Sequence, residues 1–147
     1  MNIRTITDNW SWIGLDAVEI VDANAFGNVV VRDSQARYWR ICPEELSCQV
    51  VAGTPAEWTA LRSSDDFRED WNMNALVQMA IHKFGTLPPD QCYCLKMPAV
   101  LGGKYELTNL GTISREELVS FAGHVANQIK DLPDGARIEF ILNWTTA

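Results

Sequence analysis

The chain alternates between short segments with an apolar residue at every second position and longer segments with apolar residues at every third or fourth. A period of two is typical of a half-buried strand, and steps of three and four are typical of an amphipathic helix. Short segments of the first kind, together with the three consecutive valines at 29–31, predict four strands, at Ala17–Ala23, 28–32, 37–42 and Ser47–Ala52. Because short turns separate these strands, we expect an antiparallel meander.

Two helices are predicted after the meander. The sequence Thr-Pro-Ala-Glu at 54–57 forms a capping box with proline at the first helical position, and it predicts a short helix at Pro55–Arg62. Apolar residues at three- and four-residue steps then predict one longer helix, from Ser63 or Ser64 to Phe84. Gly85 is the expected C-terminal stop of this helix.

The C-terminal third predicts a strand, a loop, a helix and a last strand. The strand is expected at 91–97, and the loop at 100–111 is expected to turn at two adjacent glycines. A second capping box, at Ser114, opens an apolar stripe that predicts a helix ending near Leu132. Strict alternation predicts the last strand at 137–144.

These elements predict a single α+β domain over residues 1–147, with an antiparallel-dominated sheet and helices packed on one face. The length of 147 residues is sufficient for one core, and 47% hydrophobic against 21% charged residues favours a folded chain. The sequence shows no apolar run of membrane-spanning length and no apolar signal core near residue 1. We therefore expect a cytoplasmic protein without membrane contact.

The net charge constrains the partner. The chain carries 12 basic and 19 acidic residues, which gives a net charge of −7. Nucleic-acid binding needs a basic surface that displaces counterions, so the charge argues against direct contact with nucleic acid. An acidic surface favours a basic partner, although it also serves plain solubility.

Acidic residues in two stretches are the candidate binding residues. The helix dipole favours carboxylates in a helix's first turn, which accounts for Asp65 and Asp66 but less well for Asp70. These carboxylates are expected to be exposed. Because a catalytic pair of carboxylates needs burial and perturbed pKa values, they do not predict a catalytic site. An acidic interaction surface is therefore predicted at Glu44, Glu45, Asp65, Asp66, Glu69 and Asp70.

The sequence gives little support for a zinc site, a catalytic Cys–His pair or a phosphate-binding loop. Cys42, Cys48, Cys92 and Cys94 lack zinc-finger spacing, and in a cytoplasmic chain they are expected to be reduced, buried and inert. The two histidines stand singly in helical patterns, so no catalytic Cys–His pair is predicted. Lys104, beside Gly102-Gly103, could meet an anion, but no phosphate-loop motif surrounds it and a structural turn is favoured. No enzyme, cofactor or metal site is predicted.

Several short motifs occur in a fixed order along the chain. They are Phe26-Gly27-Asn28, Tyr38-Trp39-Arg40-Ile41, Asp70-Trp71, Gly85 before Cys92-Tyr93, Leu101-Gly102-Gly103 with Tyr105 and Asn109, and the six residues from Gln128 to Pro133. This ordered set resembles one known family, the immunity proteins of type VI secretion DNase toxins, in their C-terminal-domain form. The resemblance is expected over 25–135.

The resemblance implies a cytoplasmic bacterial protein that binds and neutralises a cognate antibacterial toxin, often a nuclease, encoded by a neighbouring gene. It implies no catalytic residues. A nuclease holds the phosphate backbone in a basic groove, and an acidic inhibitor would associate with such a groove rapidly. The alternative is a small-molecule-binding or regulatory module that uses the 100–110 loop and has no toxin partner.

Overall fold

A computed structural model describes residues 1–133 and 135–136 of the chain. The strand predicted at 137–144 lies outside these residues. The strands are β1 Ala17–Ala23, β2 Val29–Asp33, β3 Tyr38–Cys42, β4 Ser47–Ala52, β5 Gln91–Leu95 and β6 Leu110–Ser114. The helices are α1 Ile3–Trp10, α2 Pro55–Arg62, α3 Asp65–Asn72, α4 Asn74–Phe84 and α5 Arg115–Ile129. Within the described residues, no helix has the length and apolar character to cross a membrane.

The strands form two antiparallel sheets. Strands β1 to β4 pair in chain order, so the predicted α+β class and the predicted meander are both confirmed. Strands β5 and β6 form a separate two-stranded sheet, on which α4 packs through Ala80. The strands predicted for one sheet are therefore divided between two.

Helices cover both faces of the four-stranded sheet, whereas the sequence predicted helices on one face. Val29 and Val31 of β2 pack with residues of α1 and α5. Val30 points to the opposite face and packs with Trp58 of α2 and Trp71 of α3. All three valines are fully buried, because successive side chains of a strand point to opposite faces and each face has its own helical layer.

The long helix predicted up to Phe84 is interrupted at Met73. This residue has φ 47°, in the left-handed region, and it separates α3 from α4. The buried amide of Asn24, from the turn between β1 and β2, donates to the carbonyl oxygen of Trp71 at 2.9 Å. A tertiary contact therefore satisfies a carbonyl at the end of α3, and local apolar spacing cannot reveal it.

Strand β6 occupies residues that the sequence analysis assigned partly to a loop. Its register with β5 places Gly111 opposite Cys94. A Cβ atom at Gly111 would lie 3.3 Å from Lys96 Cγ and 3.5 Å from Cys94 Sγ, so there is little room for a side chain at this position. The run from Leu110 to Ser114 shows no regular alternation, so it carried no strand signal.

Asp33 holds the turn between β2 and β3 with four hydrogen bonds. Its Oδ1 accepts from the backbone N–H groups of Gln35 and Arg37, both at 2.9 Å. Its Oδ2 accepts from Arg37 Nε and from Trp39 Nε1, both at 2.8 Å. Burial opposes the ionised carboxylate, but these donors outweigh that effect and lower its pKa from 3.8 to about 2.

The variant Asp33→Asn is expected to lose stability in a pH-dependent way. A lowered native pKa stabilises the fold above pH 3.8, and this contribution is lost as the pH falls towards 2. The shift corresponds to about 2 kcal/mol at neutral pH. Urea unfolding should give a lower free energy of unfolding for the variant than for the wild type at pH 7, and a smaller difference between them near pH 3. The exposed Asp16→Asn is the control, and a deficit that does not change with pH would contradict the interpretation.

The variant Gly123→Ala is expected to destabilise the protein although alanine favours helices. Gly123 lies in α5, and a Cβ atom there would lie 2.4 Å from the backbone oxygen of Asn9 in α1. Overpacking against backbone costs about 1–3 kcal/mol, which exceeds the helix-propensity gain of about 1 kcal/mol. Thermal unfolding measures the difference, with the exposed Gln128→Ala on the same helix as the control. A raised melting temperature for Gly123→Ala would refute the close packing of α1 and α5.

Candidate functional site

A cavity of about 420 Å³ opens beside the edge of the four-stranded sheet. Its walls come from β3 and β4, from the 3-10 turn Pro43–Glu45, from the end of α3 and from the loop after β5. We call it the acidic cavity, because three carboxyl groups and one guanidinium line it. The lining residues used below are Arg40, Glu44, Glu45, Asp70, Met73 and Tyr105.

The strand pattern explains how the cavity wall forms. Trp39 and Ile41 of β3 belong to the core beneath α1 and α5, so Arg40 points to the opposite face. Pro43 then ends the strand and begins the 3-10 turn. In this turn Glu44 is 7% exposed, and Glu45 is exposed at the cavity mouth.

Glu44 is a buried carboxylate held by a buried amide. Asn28 Nδ2 donates to both of its oxygens, at 3.1 and 2.9 Å. Burial raises the pKa of Glu44, while the bonds from Cys42 and Asn28 and the charge of Arg40 partly offset that effect. The protein thus keeps an ionisable group where its charge is disfavoured, which is a feature found often at functional sites.

Arg40 connects this buried pair to α3. Its Nε donates to Asn28 Oδ1 at 3.0 Å, and its Nη1 lies 2.5 Å from Asp70 Oδ2. The guanidinium also lies over the ring of Trp71, 5.2 Å from the centroid. Its side chain is only 15% exposed, so these contacts fix the wall between β3 and α3.

The structure brings together half of the predicted acidic residues. Glu44, Glu45 and Asp70 line the cavity, although Glu44 lies at its buried floor and offers little surface to a partner. Three others lie exposed along α3 and are not part of the described lining, namely Asp65, Asp66 and Glu69. A binding role for the six residues stays a prediction.

Sequence reasoning did not identify Asn28 and Arg40 as parts of a site, and it included Tyr105 only as a member of the candidate 100–110 loop. The alternation of β3 could have placed Arg40 on the face opposite Trp39. Asn28 gave no such signal, and the sequence did not place Tyr105 beside Glu45. Asn28 and Tyr105 reach Glu44 and Glu45 from 16 and 60 residues away in the chain.

The cysteines lie in surroundings that favour the neutral thiol. Burial raises the pKa values of Cys48, Cys92 and Cys94 to about 12. Burial, with a smaller effect from Glu44, also raises the pKa of Cys42, which is half-buried in the cavity wall. Cys42, the cysteine among the four that lines the cavity, is therefore held as a neutral thiol rather than as a reactive thiolate.

The comparisons with known proteins identify one family and one similar solved structure. Residues 55–125 match the model of the family described as "T6SS immunity protein Tdi1, C-terminal", where T6SS denotes the type VI secretion system. The family resemblance predicted over 25–135 is thereby confirmed for 55–125, and it supports an immunity role. The matched residues run from α2 into α5 and include Asp70, Met73 and Tyr105 of the acidic cavity.

A solved structure is also similar to this chain. The crystal structure of Atu4351 from Agrobacterium tumefaciens shares 18% sequence identity, with a TM-score of 0.47. The alignment covers 68% of this chain and 51% of that one, so this chain spans about half the length of Atu4351. No curated protein matches the chain.

The variant Glu44→Gln is expected to gain stability relative to the wild type as the pH rises. A raised native pKa gives stability below the usual value of 4.5, and this contribution is lost as the pH rises through the native pKa. Urea unfolding between about pH 4 and 8 measures the free energy of unfolding of both proteins. The value for the variant should rise steadily relative to that of the wild type as the pH increases. The exposed neighbour Glu45→Gln is the control. A difference that stays constant over this range would contradict the burial of a charged Glu44.

Proposed function

We propose that this protein is a cytoplasmic bacterial immunity protein. It binds a cognate antibacterial toxin by direct contact and neutralises it. The toxin is a DNase delivered by type VI secretion, with a basic groove for its substrate. The family match over 55–125 carries this proposal.

The charge of the chain agrees with such a partner. With a net charge of −7, the protein attracts a basic groove and repels nucleic acid. Asp65, Asp66, Glu69 and Asp70 all lie exposed along α3, and Glu45 lies at the cavity mouth. Such rim charges mainly raise the association rate, and they make binding sensitive to salt.

The direct test uses the toxin candidate encoded by the neighbouring gene. The purified toxin is incubated with plasmid DNA, with and without an equimolar amount of this protein, and cleavage is followed over time. We expect a stoichiometric complex and loss of cleavage. Unchanged cleavage in the presence of this protein would refute the proposed function for that toxin.

Charge reversal on α3 is expected to slow association with the toxin. The double variant Asp66→Lys/Glu69→Lys changes the net charge by +4 and removes two exposed carboxylates from that helix. Association should slow by about 10-fold at low salt and should depend less on salt, because electrostatic steering is lost. Binding kinetics at two salt concentrations measure both effects.

The matched control is Asp8→Lys/Glu117→Lys, which makes the same change in net charge on α1 and α5. These helices cover the opposite face of the four-stranded sheet. If both double variants slow association equally, net charge rather than α3 guides the encounter. The assignment of the α3 residues would then be wrong, and the immunity role would remain.

The acidic cavity favours a second candidate function, a small-molecule-binding module. Its volume of about 420 Å³ falls within the usual size of ligand sites. A ligand that binds the native state raises the melting temperature. Thermal unfolding with a panel of cationic metabolites tests this function, and a shift that Glu45→Gln abolishes would support it.

A further inference from the structure

An exposed apolar surface lies on the loop between β5 and β6. Nine large hydrophobic residues are exposed in the part of the chain that the structure describes, and four of them fall within 97–107. We call these four the loop surface: Met97, Val100, Tyr105 and Leu107, exposed by 37%, 54%, 47% and 41%. Scattered apolar residues are normal on a protein surface, whereas exposed apolar residues gathered in one region are a feature of interaction sites.

Hydrogen bonds hold this loop in one conformation. Asn109 accepts from the backbone N–H of Met97 at 2.9 Å, and its Nδ2 donates to the carbonyl oxygens of Met97 and Lys104, both at 3.0 Å. Gly103 lies against the same backbone, where a Cβ atom would be 1.8 Å from Met97 O. A loop that is already ordered loses little conformational entropy when a partner binds it.

Tyr105 joins the loop surface to the acidic cavity. Its hydroxyl donates to Glu45 Oε1 at 2.6 Å, and its side chain lines the cavity mouth. Burial, followed by the nearby carboxylates of Glu45 and Glu44, raises the pKa of Tyr105, so the phenol stays protonated and remains a donor. An aromatic residue with apolar neighbours on one side and carboxylates on the other matches the anatomy of a protein interface.

We propose that the loop surface and the mouth of the acidic cavity form the docking face for the toxin, with Tyr105 as the anchor. The proposal rests on the proposed function. The toxin segment that docks here carries an exposed apolar residue and a neighbouring lysine or arginine. The apolar residue packs on the loop surface, and the cationic group reaches Glu45 at the cavity mouth.

The charges of the described residues favour this occupant. Three carboxyl groups and the guanidinium of Arg40 line the cavity, and Arg40 pairs with Asp70. Glu44 lies at the buried floor, so a cation at the cavity mouth meets the exposed carboxylate of Glu45. A second copy of this chain would bring a further net charge of −7, and like charges across an interface are unfavourable.

The test measures the kinetics of binding to the purified DNase toxin encoded by the neighbouring gene. Tyr105→Ala and Val100→Ser are each expected to raise the dissociation rate, by about 10-fold or more for Tyr105→Ala, because anchors act mainly on dissociation. Tyr105→Phe keeps the ring and should change the rate less than Tyr105→Ala. Glu45→Gln should weaken binding and reduce its salt dependence.

The matched control is Val18→Ser on β1, because Val18 is 46% exposed and Val100 is 54% exposed. Melting temperatures of all variants show that each one is folded. If the wild type silences the DNase and the loop variants dissociate at the wild-type rate, the docking face is wrong and the immunity role stands. If the wild type neither binds nor silences the toxin, the proposed function fails, and this docking face fails with it.

Discussion

The fold depends on the complete burial of β2 from both sides. Val29 and Val31 face one layer of helices and Val30 faces the other, and none of the three is accessible to solvent. A strand buried on both faces needs apolar partners above and below, and α1 with α5 and α2 with α3 supply them. Because α3 must cover Val30, its C-terminal end is brought next to β3, where Arg40 meets Asp70.

Buried polar residues at the two ends of β2 make hydrogen bonds where the strand meets the neighbouring turns. Asp33 at the C-terminal end accepts four hydrogen bonds, and its pKa falls to about 2 because the donors favour the charged form. Asn28, directly before the strand, is fully buried and instead donates to Glu44, whose pKa is raised. The first arrangement stabilises the fold at neutral pH, whereas the second one costs stability there. Burial of Glu44 beside the cavity lowers the stability of the fold at neutral pH, so a role in binding explains this residue better than a role in folding does.

The sequence predicted those parts of the fold that depend on neighbouring residues. Short apolar segments separated by turns predicted the four strands of the meander. Thr54 and Ser114 cap the predicted helices by accepting from the N–H groups of Glu57 and Glu117. The sequence did not predict the break between α3 and α4 at Met73, where Asn24 reaches the end of α3 from a distant turn. The acidic character of the site and the involvement of the 100–110 loop were predictable, but their arrangement was not, because Asn28, Arg40 and Tyr105 make their contacts at the site through the tertiary fold.

The acidic cavity combines two parts of the chain that differ in their relation to known proteins. Asp70 and Tyr105 lie within the residues that match the immunity family, whereas Arg40, Glu44 and Glu45 lie before them. Among the residues that line the cavity, the contacts of Arg40 with Asp70 and of Tyr105 with Glu45 join the two parts. The meander therefore supplies the buried floor, and the matched segment supplies the exposed loop and the helix. A partner docked at the mouth would contact both parts at once, so its recognition would depend on how the meander holds the matched segment.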